Sequence, residues 1–178
     1  MKILLMAASS RKGSVNKKLI NESEKILSTR NCNLVKLDLE NFLSIGYSGD
    51  IEENQGIPDI VKKFGAELEK VEKVIFSIPE YNSSLPGVFK NLIDWVSRLR
   101  PSPWQNKKML ITTASPSIQG GSRSHLHALH IFQGLGVNVL PRTLNLSNAY
   151  GQFDSNCKIK DKTIYALLDS ILKQFLEF

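Results

Sequence analysis

Three short stretches hold the residue types from which a ligand site could be built. The first, "ASSRKGSVN" (Ala8 to Asn16), combines the hydroxyls of Ser9 and Ser14 with the fixed charge of Arg11, and Gly13 permits a tight turn. An amphipathic pattern starts at Val15, so the N–H groups of Val15 and Asn16 open a helix, where unpaired donors and the helix dipole favour an anion. Those types in that order make a competent phosphate cradle, although the loop is neither a P-loop nor G-x-G-x-x-G. Ordinary capping by Ser14, with Arg11 and Lys12 in solvent, explains the same residues equally well.

The second stretch is "PEYNSSLPG" (Pro79 to Gly87). The apolar run "KVIFSI" leads directly into Pro79, Glu80, Tyr81 and Asn82, and the next helical pattern opens only at Pro86. A turn alone needs far fewer residues, so the loop has room to line a ligand. The third is "ASPSIQGGSR" (Ala114 to Arg123), where Ser115 precedes the pair Gly120 and Gly121. Adjacent glycines allow a backbone to lie flat against a planar group and donate to its rim, although a plain turn uses them too. His125, His127 and His130 follow, but residues 125 and 127 of a helix point in well-separated directions. They are expected to be packing or surface side chains, not a shared metal site.

The elements that must position these loops are legible from apolar spacing. Strand-like runs occur at Lys2 to Ala7, Asn33 to Leu39, Lys73 to Ile78, Lys108 to Ala114 and Val137 to Leu140. Between them, Val15, Leu19, Ile20, Ile26 and Leu27 mark one helical face, and Ile60, Val61, Phe64, Leu68 and Val71 a second, with Pro58 near its start. Val88, Leu92, Trp95, Val96 and Leu99 mark a third, and further helices are expected over Ser122 to Gln133 and Lys162 to Glu177. Alternating strands and helices with apolar strands indicate a parallel sheet covered on both faces. The expected fold is an α/β flavodoxin-like three-layer sandwich, a five-stranded parallel sheet in the order 2-1-3-4-5, formed by residues 1–178 as one domain. Ligands in such sheets sit beyond the carboxyl ends of the strands, where all three stretches fall.

Composition narrows the function classes. At 178 residues with 42% hydrophobic and 22% charged content the chain suits one soluble domain, and no apolar run approaches the roughly 20 residues that span a bilayer. The start "MKILLMAASS" reads as a first buried strand, not a secretory leader, because its apolar run is short. Cys32 and Cys157 are isolated, which argues against a disulfide framework or a zinc site, and the default location is the cytoplasm. The net charge of +6 is uneven: no acidic residue lies between Asp94 and Asp154, while Arg98, Arg100, Lys107, Lys108, Arg123 and Arg142 do, so that half is expected to attract anions. No nucleic-acid-binding signature accompanies them.

Taken together, "SSRKGSVN", "PEYNSSLPGVFKNLIDW" and "SPSIQGGSR" strongly resemble the NADPH-dependent FMN reductase family, which includes quinone, chromate and azo-dye reductases. The resemblance implies FMN as cofactor and NADPH or NADH as co-substrate, with hydride passing through the flavin to a quinone, azo, chromate or other small acceptor. It places Ser9, Arg11, Ser14, Val15 and Asn16 at the FMN phosphate, Pro79, Glu80, Tyr81 and Asn82 at the ring, and Ser115, Gly120 and Gly121 at its far end. It implies no catalytic dyad, since the flavin carries the chemistry. It also implies a homodimer or homotetramer, with the exposed edge of the helix from Pro86 to Arg98 as the expected contact. The polar, acidic segment Glu40 to Asp59 departs from the family pattern and is a candidate for the substrate mouth or a subunit contact.

The alternative is a flavodoxin-type electron carrier or a non-catalytic FMN-binding protein. Carriers are generally acidic, unlike this chain. A phosphoacceptor receiver of the same topology would need aspartates at the ends of the first and third strands, where Ala8 and Pro79 stand.

Overall fold

In the first strand, β1 (Lys2–Ala7), the side chains from Ile3 onward are all apolar yet serve two different cores. Successive residues of a strand point to opposite faces, and here Ile3 and Leu5 join one cluster while Leu4 and Met6 join the other. The computed structural model describes residues 1–178, and it repeats this division along β3 (Lys73–Ser77) and β4 (Lys108–Ala114): Ile75 and Leu110 face one way, Val74, Phe76, Met109 and Ile111 the other. A strand buried on both faces must be continuously apolar, which is why these runs stand out in the sequence.

The strands pair in parallel in the order β2-β1-β3-β4-β5, with β2 at Asn33–Asp38 and β5 at Asn138–Val139. That order is flavodoxin-like. Helices α1 (Val15–Ser28) and α7 (Lys162–Glu177) cover one face. On the other lie α3 (Asp59–Glu69), α4 (Gly87–Val96) and α5 (Ser122–Gly134), around an aromatic cluster of Phe64, Phe76, Phe89, Trp104 and Phe132. Between β2 and α3 the chain adds a 3₁₀ turn, Leu39–Phe42, and a short helix, α2 (Gly49–Gln55). No helix is long and apolar enough to cross a membrane.

Three expectations need correction. The fifth strand is broken: β5 pairs only with Lys108 and Met109 of β4, and a further strand, β6 (Asn145–Leu146), pairs with Thr113 and Ala114. Pro141 stands in the gap, and proline has no N–H to give a ladder. On α4 the buried face consists of Phe89, Leu92, Ile93, Trp95 and Val96, whereas Val88, assigned to that face from its spacing, is 43% exposed. Leu92, Trp95 and Val96 are buried as expected, while Phe89 takes the place assigned to Val88 and packs on Phe76, with ring centroids 5.2 Å apart. The outer edge of α4, expected to be free, is covered in part by its own chain. Asn91 accepts from the Tyr47 N–H at 2.8 Å, the Trp95 indole donates to the Ile45 carbonyl at 2.8 Å, and Arg98 pairs with Glu52 at 2.8 Å. The segment from Glu40 to Asp59 therefore includes a brace on α4.

Candidate functional site

The loops after β1, β3 and β4 meet at the carboxyl edge of the sheet around a cleft of about 200 Å³. It is lined by Ser9, Arg11, Ser14, Val15, Asn16, Pro79, Glu80, Tyr81 and Ser115, all expected from the sequence, and by Ala114, Pro116 and Tyr150. Asn82, Gly120 and Gly121 lie outside that lining.

The first loop has free donors. The N–H groups of Val15 and Asn16 have no acceptor within the chain, as expected of a helix's first turn. Ser14 occupies the N-cap position with extended backbone, but its hydroxyl makes no capping bond, so the capping explanation of this serine does not hold. Ser9 and Ser14 are buried at the base of the cleft and Arg11 is exposed at its rim. Arg11 donates to the Tyr150 hydroxyl at 3.2 Å and to the Gly13 carbonyl at 3.1 Å. Two backbone donors, two hydroxyls and a guanidinium around one pocket form a donor set suited to a phosphate monoester.

Asn16 contributes its N–H only, because its side chain is committed elsewhere. It is 1% exposed, and its amide bridges three elements: Oδ1 accepts from Ser77 Oγ at 2.8 Å and from the Ala114 N–H at 3.0 Å, and Nδ2 donates to the Ala114 carbonyl at 2.9 Å. The ends of β3 and β4 are thereby fixed to the first turn of α1.

The second loop owes its shape to a tight turn. Tyr81 and Ser84 exchange both backbone hydrogen bonds, at 2.9 and 3.0 Å, around Asn82 (φ 50) and Ser83 (φ 63). Two consecutive positive φ angles belong to a type I′ turn, where asparagine at the first position is favoured. The turn lifts Tyr81, 48% exposed, to the mouth of the cleft. Glu80 turns away: its carboxylate accepts from the Arg123 N–H at 3.2 Å at the start of α5, with the Arg123 guanidinium 3.9 Å from its other oxygen. One carboxylate oxygen of Glu80 is thereby engaged at α5. His127 supports the same turn through a 3.0 Å contact with Ser84 Oγ.

The glycine pair serves the protein's own packing. Both residues are buried, Gly120 at φ 63 and Gly121 at φ 89. A Cβ on Gly120 would lie 2.5 Å from the Asn145 carbonyl oxygen, and one on Gly121 3.0 Å from Thr113 Cβ. The pair lets the loop pass close against β6 and β4. His125, four residues beyond Gly121, is buried with no partner for Nδ1, and burial holds its pKa below the ordinary value of 6.5.

Sequence reasoning missed Tyr150. It lies on a one-turn helix, α6 (Ala149–Gln152), directly after β6, and a two-residue strand followed by one turn leaves no periodicity to detect. The expected anionic attraction of the basic half is also weaker than composition suggests. Arg98 is paired with Glu52, Arg123 with Glu80, and Lys107 donates to the Val71 carbonyl at 2.6 Å. A larger hollow of about 380 Å³ on the other side of α1 contains Lys12, Lys17 and Lys36. Lys17 is already bound to Asp38 and Glu40, and Lys36 to Glu24, so it has no convergent set of free donors.

A doubly covered parallel sheet with donor-rich loops converging at its carboxyl edge defines a flavodoxin-like α/β protein with an anion-ready cleft. The family model for NADPH-dependent FMN reductase matches residues 1–151, and the chain belongs to that family: it is an oxidoreductase of the NAD(P)H-dependent FMN or quinone reductase type. It is 31% identical to the "Quinone reductase" of Escherichia coli (strain K12) over 144 residues, 79% of this chain and 73% of the relative. The flavoenzyme NAD(P)H:(acceptor) oxidoreductase FerB from Paracoccus denitrificans superposes with a TM-score of 0.85 at 23% identity, covering 99% of this chain and 95% of that one. Oxidised Flavodoxin 1 from Bacillus cereus also superposes, with a TM-score of 0.64 at 12% identity over 99% of this chain and 98% of that one. Fold alone therefore does not separate a reductase from a carrier, whereas the family match does.

Proposed function

We propose that the cleft holds FMN, with its phosphate at the first loop and its ring beside Pro79 to Tyr81, and that NADPH or NADH reduces it for delivery of electrons to a quinone, azo compound, chromate or other small acceptor. When bound, FMN supplies the hydride chemistry. The observation that carries this reading is the convergence of the unpaired Val15 and Asn16 N–H groups, the Ser9 and Ser14 hydroxyls and Arg11 on one pocket.

The roles divide by chemistry. Val15 and Asn16 give backbone N–H groups, Ser9 and Ser14 give hydroxyls, and Arg11 gives charge to the phosphate. The Pro79–Glu80–Tyr81 backbone and Ser115 form the wall for the ring, and Asn82 shapes that wall through its turn. Gly120 and Gly121 act one layer behind, by holding the third loop against β6.

Titration of the flavin-free protein with FMN and with riboflavin, which lacks only the phosphate, tests the assignment. A charge-assisted bond contributes roughly 1.5 to 3 kcal/mol, so Arg11→Ala is expected to weaken FMN by about tenfold to a little over a hundredfold and leave riboflavin unchanged. Equal losses for both flavins, or none for either, would move the phosphate away from this loop.

A further inference from the structure

Arg11 is the only charged side chain offered to the phosphate end of the cleft besides Glu80, which is occupied at α5, and an exposed arginine left to itself samples many rotamers. In this chain it is not left to itself. Its Nη1 donates to the Tyr150 hydroxyl at 3.2 Å, its Nη2 to the Gly13 carbonyl at 3.1 Å, and its guanidinium carbon lies 5.8 Å from the centre of the Tyr150 ring. A guanidinium has five N–H groups, so two contacts leave three for a ligand.

Tyr150 can act as a support because its backbone is fixed, although its side chain is 59% exposed. The β6 strand just before it is paired with Thr113 and Ala114 of β4. Asn148 adopts a left-handed conformation (φ 48), and its N–H donates to the Ser117 carbonyl at 3.2 Å. The Ala149 N–H donates to the Ser115 carbonyl at 3.0 Å. These bonds tie the turn carrying Tyr150 to the loop that follows β4.

We infer that Tyr150 is a positioning residue for the phosphate end of the site: it pre-orients Arg11, and so sets how strongly the protein prefers a phosphorylated flavin over its unphosphorylated parent. The inference rests on the reading of Arg11 as the phosphate anchor. Pre-orientation acts by lowering the entropy lost when the charged side chain closes on its ligand. Tyr150 itself needs no contact with the ligand to have this effect.

The test is a double-mutant cycle of Tyr150→Phe and Arg11→Ala, with the dissociation constants of FMN and riboflavin measured on the flavin-free full chain. Losing the hold on one side chain is expected to weaken FMN about two- to tenfold in Tyr150→Phe, with riboflavin changed by less than about twofold. In the Arg11→Ala background the same substitution is expected to have no further effect on FMN. Tyr150→Ala, which also removes the ring, is expected to lose more than Tyr150→Phe, again for FMN only. Equal losses for both flavins would make Tyr150 a wall of the ring site and overturn the inference. So would unchanged FMN binding, a tighter one, or a loss that persists without Arg11. If Arg11→Ala itself fails to separate FMN from riboflavin, the phosphate assignment falls and this inference falls with it. If Arg11→Ala separates them and Tyr150→Phe does not, only the inference fails.

Discussion

Replacing Asn16 by alanine separates a residue that binds a ligand from one that builds the site. The side chain is 1% exposed and makes three hydrogen bonds, with Ser77 Oγ and with both the N–H and the carbonyl of Ala114. Each neutral bond contributes about 0.5 to 1.5 kcal/mol, and a buried backbone N–H left without an acceptor costs about 1 to 3 kcal/mol more. The sum for Asn16→Ala is roughly 2.5 to 7.5 kcal/mol. In a chain of this size 1 kcal/mol moves the melting temperature by about 2 to 4 °C, so a fall of roughly 5 to 30 °C is expected. Asn16→Asp keeps two acceptor contacts but sets a carboxylate oxygen against the Ala114 carbonyl, and is expected to be at least as damaging. Thermal unfolding of the flavin-free protein measures the effect without any contribution from ligand. A melting temperature within about 2 °C of the parent, together with lost FMN affinity, would refute the bracket and return the amide to the ligand.

Gly120→Ala is expected to cost about 2 to 4 kcal/mol in denaturant unfolding, from the left-handed backbone and the 2.5 Å approach to Asn145, and a neutral result would show that β6 yields easily. Burial lowers the pKa of His125 in the folded state, so below about pH 6.5 the unfolded chain takes up the proton more readily and stability falls as pH falls. His125→Leu is expected to flatten that acid-side slope of melting temperature against pH; an unchanged slope would assign it to other groups. Sedimentation at micromolar concentration is expected to show a homodimer or homotetramer, since Val88, Ile118 and Leu126 remain exposed, and a fully active monomer would contradict that.

The strand order and both helical layers were legible because burial on two faces forces long apolar runs, and α1, α5 and α7 begin where their patterns do. The first loop's place at the cleft was legible because the strand order puts the loops after β1, β3 and β4 at the carboxyl edge of the sheet. What escaped depends on partners distant in sequence. The Asn16 amide meets Ala114 across 98 positions, and Arg11 meets Tyr150 across 139. The packing role of the glycine pair escaped for the same reason: the atoms that exclude a Cβ belong to Asn145 and Thr113, and nothing local distinguishes a loop that must pass close to a strand from one that must pass close to a ligand. On α4 the expected face shares Leu92, Trp95 and Val96 with the buried one, but the spacing points to Val88 in place of Phe89, because both border the apolar side of "GVFKNLIDWV" and only the packing against Phe76 separates them.

The broken fifth strand also bears on how these molecules behave when crowded. An open sheet ends in a row of unpaired N–H and carbonyl groups that can recruit the same edge of another copy. Here the outer edge of the sheet consists of two segments of two residues each, with Pro141 between them. The stretch of β4 they leave bare is closed from within, since the Thr143 hydroxyl donates to the Ile111 carbonyl at 2.5 Å and the Thr113 N–H donates to the Leu144 carbonyl at 3.0 Å. No run of free ladder groups long enough to template a foreign strand is left on that side. The same interruption that shortens β5 therefore guards this edge of the sheet against edge-to-edge pairing, and a substitution of Pro141 that let β5 and β6 fuse would extend the edge open to it.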